Sequence, residues 1–153
     1  MKPLLHVPAL LSAALLGLVL ANTMVPFRGQ AGRQGVYRFE VRATTTVSGT
    51  AQLFYDAGRG FSEADASRVA LGAGAPVVLS FPIHAQSVRG LRFDPINHDA
   101  QVTLREAVIR RPDGSVLRTI PLEAFTPANQ IESLVRRGDA LVVQPPPGAN
   151  DPF

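Results

Sequence analysis

The strongest constraint on this chain is the strict alternation of apolar and polar residues in short runs. In "VYRFEVRA", residues 36–43, Tyr37, Phe39 and Val41 share one side and Arg38, Glu40 and Arg42 the other. Successive side chains of a strand point to opposite faces, so this run predicts a half-buried β-strand. "TAQLFYD" repeats the pattern with Ala51, Leu53 and Tyr55 on one face. "VVLSFPI" does so with Val77, Leu79, Phe81 and Ile83, and "VRGLRFDP" with Leu91 and Phe93. "AQVTLREAVIR" places Val102 and Leu104 inward, and the change of phase before Ile109 predicts a bulge at the Glu106–Ala107 pair. "SRVAL", "VLRTIPL" and "ALVVQ" are further strand candidates. "TTTVSG", "GAGAP", "RPDGS" and "RRGD" lie between the runs and read as turns. "LEAFTPANQIESLV" predicts a short helical piece over Leu122–Phe125 and then a strand from about Gln130. Roughly eight short strands at this spacing predict an all-β fold, an antiparallel, jelly-roll-like β-sandwich over residues 36–153.

The other constraint is the N-terminus. After Lys2, "LLHVPALLSAALLGLVLANTMVPF", residues 4–27, carries no charge except through His6. This predicts one N-terminal hydrophobic helix, with residues 1–28 forming a signal peptide or a membrane anchor. Val19-Leu20-Ala21 resembles a small-residue cleavage site, as a secretory signal requires. The whole run is also long enough to cross a hydrocarbon core, which takes about 20 residues. Under both readings a glycine-rich linker over 29–35 and then the β-domain lie outside the cytoplasm.

Composition narrows the partners. The basic residues are fourteen Arg and one Lys, scattered among acids, and the formal net charge is only +3. No basic stripe exists beyond Arg110-Arg111 and Arg136-Arg137, so no nucleic-acid partner is expected. The absence of cysteine excludes disulfides, thiolate metal sites and cysteine nucleophiles.

"FYDAGRGFSEAD", residues 54–65, is the densest stretch. Asp56, Glu63 and Asp65 are hard oxygen ligands, a candidate metal site of the kind calcium takes. EF-hand spacing fails, because Phe61 occupies the position that needs glycine. Turn chemistry offers the competing account. Asp56 closes a strand, Gly58 and Gly60 permit unusual backbone angles, and Ser62 with Asp65 fits a capping box around one helical turn. Phe61 then plugs the end of the sandwich. A resident cofactor is otherwise not expected. Asp94, His98 and Asp99 form a second polar group that reads more simply as a solvated turn, and His84 has no partner in the sequence. Arg137-Gly138-Asp139 matches a cell-adhesion tripeptide but is equally good hairpin chemistry. No serine elbow or paired histidine motif appears, so the chain reads as non-catalytic.

The runs "QLFYDAGRGFSEADASRVAL", "SFPI", "VRGLRFDPINHDAQVTLREAVIR" and "ANQIESLV…GDALVV…GANDPF" resemble a β-sandwich domain of bacterial envelope proteins. That domain is similar to carbohydrate-binding, galactose-binding-like modules, and it typically follows the first transmembrane helix of polytopic proteins linked to glycosyltransfer and surface polysaccharide. The resemblance spans residues 36–153 and carries no catalytic residues with it. It implies an extracytoplasmic module held at the membrane by residues 4–27, or secreted to the periplasm. Its expected role is accessory or glycan-recognising, with a glycan or an envelope glycosyltransferase as partner. In the look-alikes the "NDP" segment leads into a closing strand and further membrane helices, whereas here the sequence stops at Phe153. The alternatives are therefore a structural or protein–protein interaction subunit at the membrane, or a truncated remnant of a larger polytopic protein.

Overall fold

The computed structural model describes residues 36–127 and 131–148, together with the backbone of two dipeptides, Leu18–Val19 and Phe27–Arg28. The expected N-terminal helix, the 29–35 linker and residues 149–153 otherwise lie outside the described residues. In chain order the strands are β1 (Leu18–Val19), β2 (Phe27–Arg28), β3 (Tyr37–Thr45), β4 (Gly49–Asp56), β5 (Ala66–Leu71), β6 (Val77–Ile83) and β7 (Ser87–Val88). They continue with β8 (Gly90–Asp94), β9 (Val102–Arg110), β10 (Val116–Ile120), β11 (Thr126–Pro127), β12 (Ser133–Arg137) and β13 (Ala140–Gln144). Single 3-10 turns occupy Glu63–Asp65 and Leu122–Ala124. Among the described residues no helix is long and apolar enough to cross a membrane.

Two antiparallel sheets dominate. One runs β11-β1-β8-β4-β5, and the other β12-β13-β9-β3-β6 with β10 also pairing β9. β2 and β7 form a small separate pair. The expected all-β architecture is present, with its two sheets packed across one apolar core. β1 is paired on both sides, with Leu18 opposite Phe93 and Pro127.

The alternation in the sequence accounts for the core. Phe39, Val41, Leu53, Leu79, Phe81, Phe93, Val102 and Leu104 have no exposed surface. Phe39 and Phe81 come from one sheet and Phe93 from the other. Their ring centroids lie 5.6–6.1 Å apart in tilted and edge-on arrangements, the geometries that aromatic quadrupoles favour. The outermost members of the predicted faces depart from the pattern. Tyr37 is half-buried, and Val77 is 38% exposed because β6 is an outer strand whose first residue overhangs the core.

The bulge falls where the phase change predicted it. Val41 pairs with Ala107 and Arg42 with Arg105, which leaves Glu106 unmatched at φ 35°. The extra residue restores the inward direction of Ala107 and Ile109, and both are buried.

Consecutive strands often change sheet. β3 leads into β4, β5 into β6 and β8 into β9 across the sandwich, and all three crossovers meet at one end. Hydrogen bonds clamp them together. Gly74 N–H donates to the Thr45 carbonyl at 2.9 Å, Ala73 N–H to Ser48 Oγ at 3.1 Å, and Thr50 N–H to Asn97 Oδ1 at 2.8 Å. The β4–β5 connection, which holds the Asp56 loop, lies at the opposite end. β4 has eight residues, so its two ends are roughly 23 Å apart at about 3.3 Å per step.

Candidate functional site

The two longest sequence signals, "FYDAGRGFSEAD" and "VRGLRFDP", meet residue by residue. β4 pairs with β8, with Gln52 opposite Asp94, Phe54 opposite Arg92, and Asp56 opposite Gly90. Asp56 ends its strand, as expected. Its Oδ1 accepts the backbone N–H groups of Gly58 at 2.6 Å and Gly60 at 2.8 Å. Gly58 and Gly60 stand at φ 114° and 85°, a backbone region open mainly to glycine, which turns both N–H groups onto one oxygen. Those two donors, and secondarily the Arg59 backbone and the Arg89 charge, hold the Asp56 carboxyl below its ordinary value.

The rest of the stretch departs from expectation in two ways. Phe61 is not a core plug. It is 41% exposed and lies against Gly90, where an added Cβ would come within 3.4 Å of its ring. The capping box is replaced by a different closure. The Asp65 N–H donates to the Ser62 carbonyl at 3.0 Å, and no side chain caps the turn. The Ser62 hydroxyl instead donates to the Asp65 carboxylate at 3.3 Å. A single 3-10 turn bonds residue i to i+3 through the backbone, so it leaves no N3 amide for the serine to cap.

The three candidate metal ligands are engaged separately. Asp56 holds the glycine amides, and Asp65 pairs with Arg59 at 3.4 Å. Glu63 Oε2 accepts from Arg68 at 2.7 Å and from Gln52 Nε2 at 3.1 Å. Among the described residues no three His, Asp or Glu side chains are grouped as a metal would need.

The second polar group is likewise dispersed. Asp94 lies on the outer face of β8 and is 5% exposed; it accepts two hydrogen bonds from Arg92, at 2.6 and 3.1 Å. Asp99 Oδ2 accepts the Gly148 N–H at 2.9 Å, His98 is half-buried in the turn, and His84 is exposed. Gly138 of the Arg-Gly-Asp tripeptide occupies the β12–β13 turn at φ 61°, and Asp139 is ion-paired with Arg105, which lowers its pKa.

What the sequence did not reveal is a cleft at the crossover end. Its volume is about 360 Å³, and it is lined by Thr44, Thr45, Thr46, Ala73, Gly74, Gln101 and Thr103. Thr44 and Thr103 are paired neighbours on β3 and β9, on the face turned away from the core. The turn that carries Gly74 at φ 96° forms the facing wall. The Thr45 hydroxyl is engaged with Val47, and Gln101 Nε2 donates to Gln144 at 3.3 Å. The hydroxyls of Thr44, Thr46 and Thr103 make no hydrogen bond to other described residues. No lining residue is ionisable. The only trace in the sequence is the neutral, hydroxyl-rich run "TTT", expected in a turn, whereas Thr44 and Thr45 are the last residues of β3.

No protein-family model, curated protein or solved structure matches the chain.

Proposed function

We propose that this chain is a non-catalytic extracytoplasmic module of jelly-roll-like β-sandwich type, with an accessory or glycan-recognition role in bacterial envelope glycan assembly. The carrying observation is the meeting of the two long motifs along β4 and β8. Runs separated by more than twenty residues form one unit, and nearly every polar side chain in them has a structural partner. That fits motifs which maintain a fold and leave chemistry to another surface. The role itself comes from the resemblance to envelope sandwich domains, whose expected partners are a glycan or a glycosyltransferase. Membrane attachment through residues 4–27 belongs to the same reading.

The test is a glycan array probed with the full chain in a detergent that lacks a sugar headgroup. Selective binding to a subset of neutral glycans supports the reading. A folded, monodisperse protein that binds none removes it.

One feature favours a protein–protein interaction subunit instead. β12 is the outer strand of its sheet, and Val135 on it is 44% exposed. Outer strands with unused backbone groups are strand-addition sites. Glycan binding with no stable protein partner, or the reverse, separates the two.

A further inference from the structure

We propose that the crossover-end cleft is a saccharide site and that its ligand is a neutral sugar, held by the hydroxyls of Thr44, Thr46 and Thr103 and the amide of Gln101. The inference rests on the glycan-recognition reading and names the place and ligand class that reading leaves open.

Three observations carry it. The first is size. The cleft is a shallow, solvent-open depression of about 360 Å³, which suits one or two sugar rings bound at the surface. The second is chemistry. In a chain that is 18% charged, no lining residue carries a charge. Hydroxyls both donate and accept, and the glutamine amide has one group of each kind, which matches the mixed donors and acceptors of a polyol. An anionic sugar would find no cation in the lining, and the nearest, Arg42 and Arg105 one paired row away on the same face, are already ion-paired with Glu106 and Asp139. The third is preorganisation. The hydrogen bonds from Gly74 to Thr45 and from Ala73 to Ser48 fix the facing wall to the β3–β4 crossover. The pairing of Thr44 with Thr103 fixes the floor on two central strands. Thr44 and Thr103 stand on rigid strands and lose little entropy on binding, while Thr46 and Gln101 lie one residue beyond the ends of β3 and β9. No aromatic ring lines the cleft; threonine methyls and Ala73 supply its apolar surface beside the hydroxyls.

Isothermal titration of the full chain with neutral hexoses and N-acetylhexosamines, with glucuronic acid as the charged comparison, tests the proposal. Thr44→Val and Thr103→Val are near-isosteric changes on an outward face, so they remove a hydroxyl and spare the core. Each is expected to weaken neutral-sugar binding about tenfold, the scale of one hydrogen bond, with unchanged thermal unfolding. Glucuronic acid should bind more weakly than the neutral sugars. If the wild-type chain binds but both variants bind equally well, the cleft is not the site, while the glycan-recognition reading stands. If glucuronic acid binds most tightly, the neutral class is wrong. If the folded wild-type chain binds no sugar at all, the functional reading falls and the site falls with it.

Discussion

The guanidinium carbon of Arg92 stands 4.5 Å from the centroid of the Phe54 ring, joining the two long motifs on the outer face of their sheet. The same guanidinium is paired at 2.6 Å with Asp94, and the two side chains are only 12% and 6% exposed. Arg92→Ala would bury a carboxylate without this partner and uncover an aromatic ring. The expected loss is about 3 kcal/mol of unfolding free energy, the usual scale for breaking one side of a buried pair. Arg92→Lys should lose less, because it keeps the charge but not the planar fork or the stack. Urea denaturation of both variants checks the order.

The Asp56 loop predicts a pH dependence. Its carboxyl is held below the ordinary value by the Gly58 and Gly60 amides. A carboxylate with a depressed folded pKa stabilises fully above the unfolded value, about pH 4, and loses that contribution as pH falls through the folded value. Asp56→Asn should therefore flatten the loss of stability between about pH 5 and pH 2, relative to wild type. Chemical denaturation across that range measures it. Parallel curves would contradict the loop geometry.

Gly49 marks a close approach between two crossovers. A Cβ added there would lie 2.7 Å from Ile96 Cγ1 and 2.9 Å from Asn97 Oδ1, the atom that accepts the Thr50 N–H. Gly49→Ala should cost about 1–3 kcal/mol through overpacking and loss of that hydrogen bond. A thermal shift without broadened NMR signals from the Asp56 loop would localise the damage to the crossover end.

Calcium should leave the melting temperature unchanged. Asp56, Glu63 and Asp65 face different protein donors. A bound ion at a hundredfold excess over its Kd would add about 2.7 kcal/mol of stability, which differential scanning with calcium and with chelator would readily detect.

The strands, the core and the bulge were legible in the sequence because period two is a local property of the backbone. Phe39, Leu53, Phe81 and Phe93 are core in the structure for the reason their spacing predicted. Asp56 and its glycines were legible for the same reason, since their hydrogen bonds span four residues or fewer. Phe61 was misjudged because exposure depends on what lies opposite, and Gly90 leaves its ring on the surface. The cleft was invisible because its lining joins the ends of β3 and β9 to the turn that carries Gly74, segments far apart in sequence. Which connections change sheet is decided by long-range pairing that no local pattern reports.

Backbone amide NMR of the full chain, titrated with a neutral N-acetylhexosamine, tests the central claim most directly. The account predicts saturable shifts confined to Thr44, Thr46, Gly74, Gln101 and Thr103, with the amides of Gly58 and Gly60 unmoved. Shifts centred on the Asp56 loop, or no shifts in a folded protein, would contradict it.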